Sequence, residues 1–295
     1  MWLCGNAVQM TKYYALPIAT RYWKPGEKYL KGILDAVEKR VANGDFVVIS
    51  EKALSTALGN IIDESSTSPS FNAKLISRLW MRIAWGRCLG LLCHFGPRLR
   101  RRLREYPLEA GSRHKQVALQ QAGFLQALMW GSEGGIDGSN MPFSYVCLPL
   151  NKQYEMAEVI HQQIWLKLKK KVLVIIVDTD KTYSFRNFHF TPLPKPMKGI
   201  HSLGGVASYI IGRIFKFRKR PTPLAVAGGR LQAKEALKIA NIADRAHGSG
   251  SGATVWDMAA RFNVAATGIS WDMLAKVKHK PIVIVRKKAA KEKLL

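Results

Sequence analysis

The sequence predicts an α/β protein built on a mixed sheet. Three observations carry that reading. Val172 to Val177 is an almost unbroken β-branched run, the pattern of a strand buried on both faces. Before it, Tyr154 to Lys170 places Met156, Val159, Ile160 and Ile164 at helical spacing, and before that Tyr145 to Leu150 reads as a strand. Strand, helix and strand in that order form a crossover unit. Hydrophobic residues are 47% of 295, enough to bury a sizeable core, and the chain reads as a single domain over residues 1–295.

The remaining elements follow from local signals. Tyr22 to Gly26 is a turn built on Pro25 and Gly26. Leu30, Ile33, Leu34, Val37 and Val41 recur at helical spacing, and Asn43-Gly44-Asp45 ends that helix. Phe46 to Ile49 is a buried strand, with Ser50, Glu51 and Lys52 at its end. Asp63 to Ser70 is a loop rich in Ser and Thr. Residues 71–130 form a helical segment: Phe71 to Phe95 with Trp80, Trp85, Leu89 and Leu92 on its apolar side, a basic run from Arg98 to Arg104, and a helix from Val117 to Met129. Thr191 to Pro196 is a Pro-rich loop and Leu231 to Ala246 a helix. A short helix from Val255 to Phe262 and a strand from Ile282 to Val285 close the fold, followed by a basic tail, residues 287–295.

Charge and composition narrow the function classes. Lys plus Arg is 46 and Asp plus Glu is 20, a formal net charge of +26. Such an excess favours polyanionic partners, and non-specific nucleic-acid binding is expected at low salt. Cys4, Cys88, Cys93 and Cys147 form no CxxC pair, which argues against a disulfide scaffold or a structural zinc site. The most apolar stretch, Leu79 to Phe95, is interrupted by Arg82, Arg87 and His94, too short for a membrane span of about 20 apolar residues. No positive segment followed by an apolar stretch opens the chain. A soluble, cytoplasmic protein with no membrane partner is expected.

Two strings can carry chemistry. Asp178-Thr179-Asp180 follows the strongest strand, where open α/β sheets bind ligands. Carboxylates there suit Mg2+, which takes one or two protein carboxylates together with substrate phosphates; equally, either Asp caps a turn. Gly134 to Asn140 sets glycines around Asp137 and Asn140, either an anion-binding nest or an ordinary tight turn. It lacks the Gly-Lys-Ser/Thr of a P-loop, and it follows a helix rather than the strand a dinucleotide fingerprint requires. His247 to Gly252 is a Gly-Ser loop able to close over a nucleotide or to serve as a plain linker. The histidines form no pair at zinc spacing, and Cys147 falls inside a predicted strand, a core position rather than a nucleophile.

Taken in order, Leu16-Pro17-Ile18, Lys24-Pro25-Gly26, Gly44 to Lys52, Ser55 to Gly59, Gly135 to Asn140 and Ile176 to Thr179 resemble the coenzyme F420-0:L-glutamate ligase (γ-glutamyl ligase) family, over roughly Tyr14 to Arg286. The resemblance implies that family's α/β fold and an amide-bond ligase. Such an enzyme uses GTP and Mg2+ or Mn2+, with K+ as an additional cation, to join L-glutamate to a carboxylate of the F420-0 precursor through an acyl phosphate. It further implies a homodimer. By motif, Asp137 and Asp178 would be catalytic and, with Thr179, would hold metal. Leu16, Pro17, Ile18, Glu51, Lys52, Asn140, Gly248 and Gly250 would bind the nucleotide.

The chain departs from the family pattern at several points. Ser55-Thr56-Ala57-Leu58-Gly59 lacks the nucleotide-contacting Lys, for which Lys52 stands nearby. Ser249 aligns where the family has a metal ligand, Asp180-Lys181-Thr182 replaces Gly-Arg, and the segment from Phe71 to Arg104 is longer and more basic. The alternative reading is a family homologue without ligation activity that binds nucleotide or nucleic acid through its basic surface.

Overall fold

The computed structural model describes residues 13–248, 250–252 and 254–288. The chain opens with β1 (Tyr13–Thr20), α1 (Tyr29–Val37), β2 (Phe46–Ser50), α2 (Glu51–Ala57) and β3 (Ile61–Asp63). A continuous helix follows, made of α3 (Phe71–Leu75), a π-helical stretch (Ile76–Leu89) and α4 (Gly90–Leu92). Then come α5 (Pro97–Arg104), α6 (Leu108–Gln121), α7 (Phe124–Ala127), β4 (Tyr145–Cys147), α8 (Gln153–Leu168), β5 (Leu173–Phe185), β6 (Phe188–Thr191) and β7 (His201–Ser202). The last elements are α9 (Val206–Ile214), β8 (Arg218–Ala227), α10 (Ala233–His247), α11 (Val255–Phe262), α12 (Trp271–Ala275) and β9 (His279–Lys287).

The main sheet runs β1-β9-β2-β5-β6-β7, with β8 on the other edge of β5. It is mixed: β2 lies parallel to β5, while β9 and β8 are antiparallel to their neighbours. Strand alternation divides the core into two layers. Val47, Ile49, Val174 and Ile176 face α1 and α8 through Ile33, Val37, Ile160 and Ile164. Phe46, Val48, Ile175 and Val177 face α10 through Ile239, Ala240 and Ala243. Covering both faces explains why these strands read as continuous apolar runs.

The helical segment builds its own core against α9. Trp85 is fully buried and stacks on Phe95, ring centroids 5.6 Å apart. The indoles of Trp80 and Trp85 both donate to the Leu128 carbonyl, at 2.7 and 2.8 Å. These tryptophans hold α7 to the long helix within one chain. Among the described residues no helix is long and apolar enough to cross a membrane.

Several expectations need correction. Residues 145–150 do not start the crossover into β5. Only Tyr145–Cys147 is strand, and it pairs with β3 in a separate two-stranded sheet. The parallel partner of β5 is β2, because apolar periodicity names strands and not their neighbours. β5 also does not end at Val177. It continues through polar residues to Phe185, since β8 keeps pairing with it beyond a bulge. The helix expected from Val117 starts at Leu108 and breaks at Gly123, whose φ of 97° is left-handed. Val159 and Leu92 are exposed, and Ala157 takes the inward place on α8. β1, β6, β7, β8 and α9 carried no clear signal. β8 resembles a basic loop because Pro221 and Pro223 interrupt it. It tolerates them because β5 is its only neighbour, so prolines without N–H groups break no second ladder.

Candidate active site

β5 changes partners along one edge. β2 runs beside it as far as Ser50, opposite Val177, and β6 joins only at Tyr183. Between those points residues 178–182 have no strand on that edge, and the β8 ladder also shifts register between Asp178 and Lys181. The gap opens into a cavity of about 830 Å3, lined by Asp178, Thr179, Asp180 and Lys181 from β5. Lys52, from the start of α2, lines it from the end of β2. A site beyond the carboxyl end of a strand, where neighbours change, is the place open sheets favour for ligands.

Local backbone chemistry sets each side chain. The Ser50 hydroxyl accepts from the Ala53 N–H and starts α2, so Glu51 and Lys52 occupy its first turn. Asp137 exchanges backbone hydrogen bonds with Cys147, at 3.1 and 3.0 Å, which fixes the Gly-rich loop to the edge of β4. Its carboxylate accepts from the Ser139 N–H at 2.6 Å and pairs with Lys52 Nζ. Lys52 also donates to Ser139 Oγ at 2.9 Å. Gly135 brings the loop against β5: a Cβ there would lie 3.5 Å from Asp178 Oδ2. In the bulge, Asp178 Oδ1 accepts from the Asp180 N–H at 2.9 Å, and Asp180 Oδ2 accepts from the Ser132 hydroxyl at 2.7 Å.

Asn140 acts as a latch. Its Oδ1 accepts from the Ser251 N–H at 2.7 Å and from the Ser251 hydroxyl, and its Nδ2 donates to the Gly252 carbonyl at 3.3 Å. The Tyr22 hydroxyl donates to the Asn140 carbonyl. The Gly-Ser loop is thereby pinned over the cavity. At Gly250, φ is +60° and a Cβ would sit 2.8 Å from Asn140 Oδ1, so a side chain there is strained and would push against the latch.

The electrostatics concentrate negative charge on β5. Burial pushes Asp178 up to about 6, with Asp137 adding to the rise and the Asp180 N–H and Lys52 pulling against it. Burial and then Asp178 raise Asp180 well above the ordinary carboxylate range. Burial and Asp178 lift Glu51 to about 8, while the Leu150 N–H bonded to it pulls the other way. Burial works against the charge of Lys52, but Asp137 outweighs it and raises its pKa. Strained carboxylates beside an ammonium are a site short of positive charge.

That shortage bears on metal. Among the described residues no three His, Cys, Asp or Glu side chains form a ready metal cluster. Asp178 and Asp180 nonetheless fit Mg2+, which commonly takes one or two protein carboxylates and completes its shell with phosphate and water. The donors suit a cation that arrives with a phosphorylated substrate rather than a resident structural ion.

The wall opposite comes from the helical segment, which the sequence reading left without a role in the site. His114 sits between Glu64 and Glu133, at 2.6 and 2.9 Å, and Lys115, fully buried, pairs with Glu133 and donates to the Met129 carbonyl. Despite burial, the two carboxylates raise His114 to about 10. Despite its own burial, Glu133 is held near 2 by Lys115 and His114. Glu133 bridges to Ile136, so this cluster anchors the start of the loop that bears Asp137.

The structure therefore gathers Lys52, Asp137, Asn140, Asp178, Thr179, Gly248 and Gly250 around one cavity. Glu51 is buried behind it, its carboxylate accepting from the Leu150 N–H. Leu16, Pro17 and Ile18 do not line the cavity. They lie on β1 paired with β9, and Ile18 belongs to the core. Strand pairing, invisible in the motif, carries them there. Ser249 lies outside the described residues, as does all of the tail beyond residue 288. Thr56 is buried against Met141 and Cys147, and burial raises the Cys147 thiol to about 12, in keeping with a core role. Ser132 was missed as a site residue, and Asp180, read from its string as a candidate carboxylate, received no role from the family motif. The spacing of Asp180 two positions after Asp178 was the available signal, because the bulge turns both carboxylates toward the cavity region.

The mixed sheet, with a cavity beyond the carboxyl end of β2, is consistent with a ligase-family domain. The model of the F420-0:gamma-glutamyl ligase family matches residues 17–249, and the chain belongs to that family. Its curated relatives include uncharacterized protein MJ1361 of Methanocaldococcus jannaschii, 37% identical over 285 residues, covering 92% of this chain and 96% of the relative.

Proposed function

We propose that the protein joins the amine of L-glutamate to a carboxylate of a polyanionic, coenzyme F420-0-like acceptor, with GTP as co-substrate and Mg2+ or Mn2+ as cofactor. The observation that carries this reading is the partner change on β5. It places Asp178 and Asp180 in a bulge, across one cavity from the Lys52–Asp137 pair and beneath the latched Gly-Ser loop. A carboxylate does not react with an amine until it is activated. An acceptor oxygen attacks the γ-phosphorus, the bond to the β-phosphate oxygen breaks, and a nucleoside diphosphate leaves. The amine then attacks the acyl carbon of the acyl phosphate. The carbon–oxygen bond breaks, phosphate leaves and the amine loses a proton.

The chain's own groups match these steps. Asp178 and Asp180 would hold the divalent ion, with Asp137 and Thr179 beside them, and the ion supplies neutralisation of triphosphate charge. Lys52 Nζ offers a cation to the phosphates from the far wall. Asn140 positions the Gly-Ser loop rather than offering its carboxamide, since both ends of that amide are already bonded to the loop. A cavity of about 830 Å3 lies near the upper end of the range for small-molecule sites, room for more than one reactant.

The test is coupled turnover. The purified protein should release phosphate from GTP only with Mg2+ or Mn2+, L-glutamate and acceptor all present, and each nucleotide it binds should raise its melting temperature. Absence of a thermal shift with both GTP and ATP would remove the nucleotide step. One observation favours the second reading, a homologue that binds without ligating: Lys52 already occupies the carboxylate of Asp137. Nucleotide binding without turnover would select it.

A further inference from the structure

Two long stretches of the chain contain no carboxylate. Between Glu64 and Glu105, and again between Asp180 and Glu235, the charged side chains are Lys, Arg and His alone. The fold sets turns from both stretches side by side. Arg213 Nε donates to the Cys93 carbonyl at 3.0 Å, and its guanidinium lies 5.6 Å from the Phe95 ring centre. His94, Lys216 and Phe217 border one shallow depression. The Phe185 and Phe217 rings are 5.4 Å apart, which brings the β5–β6 hairpin to the same surface.

Each of the three turns bends at a cationic or titratable residue in left-handed backbone: His94 at φ 59°, Arg186 at 52° and Lys216 at 53°. Each also presents apolar side chains to solvent. Leu91 and Leu92 are 56% and 55% exposed, Phe185 is 53%, Phe188 is 45% and Phe215 is 65%. Leu75, Leu79 and Ile83, earlier on the same long helix, are exposed as well. Among the described residues, Arg87, Arg186, Lys216 and Arg218 enter no ion pair. Exposed apolar groups concentrated in this way mark an interaction surface.

Charge chooses the occupant. A second copy docked face to face would bring like charges together with no carboxylate to receive them. A single-stranded nucleic acid would suit the cations and could stack on the phenylalanines. It would, however, leave the exposed aliphatic tips of Leu91 and Leu92 against phosphate and water. A bilayer bearing anionic headgroups meets both requirements: aliphatic and aromatic tips enter the headgroup–acyl boundary while Lys and Arg bind the anionic surface. We propose that this face docks the protein peripherally on an anionic membrane. The inference does not depend on the ligase reading, since none of the exposed tips lines the cavity.

Vesicle flotation of the full chain tests it, at about 0.15 M salt so that loose electrostatic adsorption is screened. Wild type should float with vesicles of phosphatidylcholine mixed with phosphatidylglycerol and stay behind with phosphatidylcholine alone. The double variant Leu92→Ser with Phe215→Ser keeps the net charge and should lose partitioning on the order of tenfold. Phe185→Ser, on a separate element, should lower it independently. Unchanged melting temperatures would show that the variants are folded. Lack of flotation at that salt overturns the proposal. So does flotation indifferent to the apolar variants, which is adsorption of a basic protein only. Single-stranded oligonucleotide binding that the same variants abolish, with no flotation, would transfer the face to nucleic acid.

Discussion

Replacing Glu133 by Gln, in the buried cluster of the cavity wall, should destabilise the protein severely. Glu133 is 1% exposed, and one carboxylate oxygen pairs with Lys115, itself fully buried, while the other takes His114 at 2.9 Å. Removing one partner of a buried pair strands the other's charge, a loss of about 3–5 kcal/mol. For a chain of this size that corresponds to a fall in Tm of about 6–10 °C, at roughly 2 °C per kcal/mol. The pH dependence is specific. His114, raised from 6.5 to about 10, contributes stability that is complete below pH 6.5 and is lost as pH rises through about 10. Glu133, lowered from 4.5 to about 2, contributes stability present above pH 4.5 and lost as pH falls through about 2. Burial already lowers Lys115, and without Glu133 its ammonium sheds its proton more easily as pH rises, relieving the variant. The gap between wild type and Glu133→Gln should therefore be widest near neutral pH and narrow toward both pH 10 and pH 2. Urea titrations across pH measure it. A constant gap, or one below about 1 kcal/mol at pH 7, the range of an exposed pair, would refute the reasoning.

Other outcomes follow from the site. Asp178→Asn should abolish cation-dependent nucleotide turnover yet raise thermal stability at pH 7 by on the order of 1 kcal/mol. A carboxyl lifted to about 6 is a burden while charged, and that burden eases as pH falls through 6; a lower Tm would show that Asp178 holds the fold instead. Lys52→Met should lower turnover by on the order of 100-fold, with the melting temperature the control for folding. Gly250→Ala, strained at positive φ and pressed against Asn140 Oδ1, should weaken nucleotide binding by about tenfold, read by titration calorimetry. Gly212→Ala would place a Cβ 2.2 Å from the Tyr183 ring and should cost about 1–3 kcal/mol, read by denaturant unfolding.

Much of the site was legible because its residues are clustered in short strings. Asp137 and Asn140 share one Gly-rich loop, and Asp178 and Thr179 follow an unmistakable buried strand. The absence of Gly-Lys-Ser/Thr also set the Gly-rich string apart from a P-loop. The helical wall escaped because His114, Lys115, Glu64 and Glu133 are spread over 70 positions of sequence and resemble solvated charges until burial makes them partners. Leu16 to Ile18 misled for the converse reason: a motif names residues, and strand pairing with β9 decides where they point.

By itself the sequence determined the α/β class, the family, the heavy positive charge and the two strings that meet at the cavity, because local periodicity, turn chemistry and composition are properties of neighbouring residues. Only the tertiary structure decided that β5 runs on past Val177, that it trades β2 for β6, and that the gap between them exposes Asp178 and Asp180. Strand partners, buried ion pairs and the meeting of distant turns depend on contacts between remote parts of the chain. Those contacts form only when the whole fold repays the entropy of closing the loops between them.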